Sequence, residues 1–69
     1  MGKRETRILK SYAEYKIGKL MENPLINEKI RDEIVMLINL TVGEFEYNYI
    51  TLDEAIDKIA NAENLIKEV

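Results

Sequence analysis

DEIVMLINLTVGEF, residues 32–45, carries eight apolar side chains among fourteen residues, and the way this run is wound decides the fold. Val, Ile and Phe suit a strand as readily as a helix, so its centre, IVMLINL, is ambiguous by itself. The surroundings resolve it. Ile30, Ile34, Leu37, Thr41 and Phe45 recur at spacings of three and four, which puts them on one helical face at about 100° per residue. The flanks NEKIRDE and GEFEY continue that period, and a strand so short has no evident partner elsewhere in the chain. A helix over about 24–47 is therefore expected. Asn23 is a suitable N-cap with Pro24 at the first helical position, where its missing N–H costs nothing; Asn27 is the alternative start. Gly43 weakens the helix locally. Asn48, which tolerates the left-handed conformation, is the expected end.

Two further helices flank this one. Leu9, Ala13, Ile17 and Leu20 mark one face of a helix over about 5–22, which stops near Asn23 because the residue before a proline disfavours helical geometry. TLDE, residues 51–54, matches a capping box: Thr51 caps the helix, Glu54 reaches back to its backbone, and Ile50 and Ala55 can pack as a hydrophobic staple. The helix over about 52–68 that follows has a seam of Leu52, Ala55, Ile59, Ala62, Ile66 and Val69. Small alanines between isoleucines let a neighbour approach closely. Short connections make consecutive helices antiparallel neighbours, so the expected fold is all-α: one domain spanning residues 1–69, a small antiparallel three-helix bundle.

A chain of 69 residues buries only about 60% of the surface its unfolded form exposes. Disulfides or a structural metal often compensate in chains this small, but Cys and His are both absent. Regular helix packing and association remain. With 46% apolar and 33% charged residues, the composition is that of a folded soluble domain. No apolar run approaches the roughly 20 residues of a membrane span, and the basic start, MGKRETRILK, is not followed by the apolar stretch of a secretory signal. A cytoplasmic protein is expected. MGKRET also meets the loose myristoylation pattern at Gly2, which is short and promiscuous.

On a helical wheel the middle helix shows more than one apolar stripe. Ile30, Ile34, Leu37, Ile38 and Phe45 form the main one, and Val35 and Val42 widen it. Met36, Leu40 and Tyr47 lie on another face, with Gly43 completing their row. Two neighbouring helices can cover the main stripe and its valine flank. The Met36/Leu40/Tyr47 row is then left as an exposed apolar patch, the mark of a partner site. A second copy of the chain or a larger protein would cover it; the bland alternative is a bundle rolled so that Tyr and Lys stems half-cover the row. Asn39, Lys16 and Glu63 adjoin apolar stripes, where a polar group can set register; they are read here as edge residues reaching solvent.

Enzyme chemistry finds little to stand on. There is no His for acid–base work and no Cys nucleophile, and Ser11 and the three Thr have no usual base near them in sequence. The three glycines are isolated, so no phosphate-cradling loop exists. Asp53, Glu54 and Asp57 cluster where the helix dipole favours acids and match no calcium loop. No catalytic residue, metal or cofactor is expected.

Charge is distributed unevenly. Residues 1–20 hold six Lys and Arg against two Glu, a net +4, and residues 21–69 carry a net −7, which gives the total of −3. Cations at a helix N-terminus oppose its dipole, so Lys3, Arg4 and Arg7 are not placed there for helix stability, and Lys10 continues the same basic end. They either meet an acidic surface, in this chain or in a partner, or contact nucleic acid with Tyr12 and Tyr15 as stacking groups. Overall acidity and the lack of a helix-turn-helix pattern favour the first. The sequence thus reads as a protein–protein interaction module, a homodimer or an accessory or regulatory subunit, with Met36, Leu40 and Tyr47 as its contact residues. A nucleic-acid-associated factor, such as an accessory subunit of a DNA polymerase or defence complex, is the alternative.

Overall fold

Residues 3–65 are described by a computed structural model. They form helices α1 (Lys3–Glu22), α2 (Glu28–Glu46) and α3 (Leu52–Ala60), followed by a single turn, α4 (Ala62–Leu65). Each of the three longer helices touches the other two, and α4 packs on α2 and α3. Helices α1 and α2, joined by a short connection, run antiparallel: Lys10 early in α1 pairs with Glu46 at the end of α2, and Glu14, Ile17, Asn39 and Val42 line the groove between them. The expected three-helix bundle is the fold found.

Local chemistry sets the boundaries. Helix α2 begins at Glu28, not at Pro24, because the two asparagines divide the work differently from the first expectation. The Asn23 side chain accepts from the Leu25 N–H at 3.0 Å, closing a turn whose φ Pro24 fits as well as it fits a helix start. The true cap is Asn27, which is extended and whose Oδ1 accepts from the N–H groups of Lys29 at 2.7 Å and Ile30 at 3.3 Å. The far end closes as expected. Asn48 adopts φ 66°, and the N–H groups of Asn48 and Tyr49 donate back to Phe45 O at 3.0 Å and Glu44 O at 2.8 Å. These paired bonds satisfy carbonyls the helix end would otherwise leave free.

The capping box of α3 is complete: Glu54 N–H donates to Thr51 Oγ1 at 3.1 Å and Thr51 N–H to Glu54 Oε1 at 2.8 Å. The expected unbroken helix to residue 68 is corrected at Asn61, where α3 ends and the Asn61 amide donates to Asp57 O at 2.8 Å. An asparagine side chain that competes for a backbone carbonyl favours leaving the helix. Ile66 and Val69 of the expected seam, like Gly2, lie outside the described residues.

The core follows the sequence stripes. Leu9, Ala13 and Leu20 come from α1; Ile34, Ile38, Thr41 and Phe45 from α2; Ala55 and Ile59 from α3; and Ala62 from α4. Ile17, Ile30, Val35, Leu37, Val42 and Ile50 are half-buried against that cluster. Each large aliphatic side chain so enclosed contributes about 1.5–3 kcal/mol, and the alanines permit the close approach of the helices that carry them. Thr41 is the polar residue in the described core. Its hydroxyl donates to Leu37 O at 2.8 Å, so burying it leaves no polar hydrogen unpaired.

Candidate protein-interaction surface

The buried residues of α2 fix where its other face points. Ile34, Ile38, Thr41 and Phe45 turn inward, and at 100° per residue Met36 and Leu40 lie roughly 130–170° around the helix from their mean direction. Both are exposed, at 61% and 60%. They line one shallow depression with Asp32, Val35 and Asn39. Asn39 also lines the neighbouring groove between α1 and α2, together with Lys10 and Glu46. Those two residues close the groove with an ion pair of 3.1 Å.

Gly43 lies in the same row and adds a gap: a Cβ placed on it would meet no atom within 4 Å. Nothing in the bundle needs a glycine there. Tyr47 is exposed too, at 75%, one turn beyond Gly43. It sits at the C-cap of α2 with its ring 6.3 Å from that of Tyr49, tilted by 31°. The row expected from the sequence is therefore a Met36/Leu40 patch, an open glycine, and a tyrosine pair at the helix end.

The basic residues divide similarly. Lys3, Arg7 and Lys10 line one depression on α1 with Thr6, Ser11 and Glu14, whereas Arg4 is exposed outside it. Tyr12 is half-buried against the core and Tyr15 is exposed, its ring 5.7 Å from the Lys19 ammonium. Asn39 and Glu63 are exposed, and Lys16 is half-buried.

Several exposed apolar residues escaped the sequence reading, chiefly Leu25, Tyr49 and Met21. Leu25 falls inside the helix expected over 24–47, and its 92% exposure follows from its place in the Asn23 turn. Among the described residues no three acidic side chains are grouped to hold a metal ion, and no described helix is long and apolar enough to cross a membrane. Compared with known proteins, the chain matches no family model, no curated protein and no solved structure.

Proposed function

We propose that this protein acts as a small helical interaction module, a self-associating or accessory subunit, that binds protein through the outer face of α2. The supporting observation is the exposure of Met36 and Leu40, on one depression, facing away from a core already filled by other residues of the same helix. Large side chains left open beside a filled core lower the free energy only when another surface removes them from water. The test is a paired substitution, Met36→Glu with Leu40→Glu. The double variant keeps the helicity of the parent and, at concentrations where the chain is monomeric, its melting temperature, and it loses its protein partner in capture from native cells. A cooperative loss of folding would assign both residues to the core, and undiminished capture of the same partner would move the binding surface elsewhere.

A second reading rests on the depression that joins Lys3, Arg7 and Lys10 with Ser11. Such a surface suits phosphate, and nucleic-acid binding through it would weaken steeply as salt rises. Titration of single-stranded and duplex DNA and RNA across a salt series tests it; no affinity at low ionic strength would remove it.

A further inference from the structure

Resting on the reading of the outer α2 face as a protein-binding surface, we propose that its occupant is a second copy of this chain, docked antiparallel about a two-fold axis near Leu40. The argument begins with charge. Lys3, Arg4, Arg7 and Lys10 stand exposed at one end of the α1/α2 layer against Glu5 and Glu46, a net +2, and Glu22, Glu28, Asp32 and Glu33 stand exposed at the other against Lys19 and Lys29, a net −2. A two-fold axis across the middle of this layer reverses the copy, so each basic end lies on an acidic end and the match occurs twice. In the register of the α1/α2 groove, Lys10 then falls level with Glu22 of the other copy, and Lys3 close to its Glu28. An unrelated partner would need its own charges arranged to fit; a second copy already carries them.

Shape agrees with the same register. With the axis near Leu40 the two Leu40 side chains meet each other, and Met36 of each copy comes level with Gly43 of the other. Met36 is an exposed, flexible side chain, and Gly43 offers open space where any other residue would place a Cβ. Interdigitation of this kind is how facing helices fill the space between them. Lys29, the basic residue in the same row at the acidic end, falls beyond the end of the other copy's α2.

Sedimentation equilibrium of the wild-type chain, at low and high salt, tests association and its charge dependence. A dimer is expected whose dissociation constant rises with salt. Two charge-reversal variants test the register: Lys3→Glu with Lys10→Glu, and Glu22→Lys with Glu28→Lys. Each alone is expected to associate about tenfold or more weakly than wild type, and their equimolar mixture to form a heterodimer. The chain has no cysteine, so a Leu40→Cys variant adds a check that survives misfolding of either charge variant. It should oxidise to a disulfide-linked dimer at least about tenfold faster than a Tyr15→Cys control, because proximity raises effective concentration. A wild-type chain that stays monomeric up to millimolar concentration, with Leu40→Cys no faster than the control, overturns the dimer and leaves the capture test of the α2 face standing. A dimer that forms while Leu40→Cys reacts no faster than the control overturns this docking.

Discussion

The Lys58 ammonium of α3 donates to the Glu44 carboxylate of α2 at 3.0 Å, while two residues further along α2 Glu46 receives Lys10 of α1 at 3.1 Å. The last turn of α2 is thus held from both sides by cations of its neighbours. Lys58 and Glu44 keep 37% and 39% of their side-chain surface in water, so solvent screens the pair. A double-mutant cycle of Lys58→Ala and Glu44→Ala should give a coupling of about 0.5 kcal/mol that shrinks at high salt. A coupling several times larger would mean the pair is far less hydrated than its exposure implies.

Thr41 separates the value of a buried methyl from that of a buried hydroxyl. Thr41→Ser keeps the bond to Leu37 O and deletes the methyl, which should lower stability by about 1 kcal/mol. Thr41→Val keeps the shape and removes a hydroxyl whose acceptor is a backbone carbonyl in the helix. It should be neutral or stabilising by up to about 1 kcal/mol. Urea unfolding of both variants checks the order; a Thr41→Val protein much weaker than Thr41→Ser would show that the hydroxyl holds the helix locally.

Gly18 and Gly43 both lie inside helices, and neither would bring a Cβ within 4 Å of another atom. Each Gly→Ala change should raise the stability of the isolated chain by about 0.5–1 kcal/mol, since glycine gives up more backbone entropy on folding. The two differ in association. Gly43→Ala fills the gap proposed for Met36 of the other copy and should weaken the dimer; Gly18→Ala should leave it unchanged. Melting curves at low concentration, paired with sedimentation, measure the two effects separately.

Asn48 ends α2 in the left-handed region at φ 66°. Asn48→Ala should cost about 1 kcal/mol, because a Cβ without a compensating polar group is disfavoured there. Asn48→Gly should be tolerated or slightly stabilising. Equal effects from the two substitutions in thermal unfolding would mean that the side chain matters here and the backbone angle does not.

Much of this was legible in the sequence, for identifiable reasons. TLDE at residues 51–54 and Asn48 encode local geometry within a few residues, and the structure realises both. The inward stripe of α2 was readable because burial repeats with the helical period. The start of α2 was less so, since Asn23 and Asn27 carry the same capping chemistry and Pro24 suits a turn as well as a first helical turn. The break at Asn61 was hidden by a seam whose apolar spacing runs straight through it. On the outer face, the sequence showed that Met36, Leu40 and Tyr47 share a row, but not that Tyr47 would pair with Tyr49. That pairing depends on how the helix ends, which periodicity does not encode.

The connections between the helices, residues 23–27 and 47–51, are five residues each. Each connection brings the two helices it joins into contact, and helical chains rich in such local contacts reach the native state in microseconds to milliseconds. Synthesis proceeds at only about 5–20 residues per second. Pairing of the helices within the chain is thus fast compared with synthesis, and the partner proposed for the outer side of α2 meets helices that have already come together.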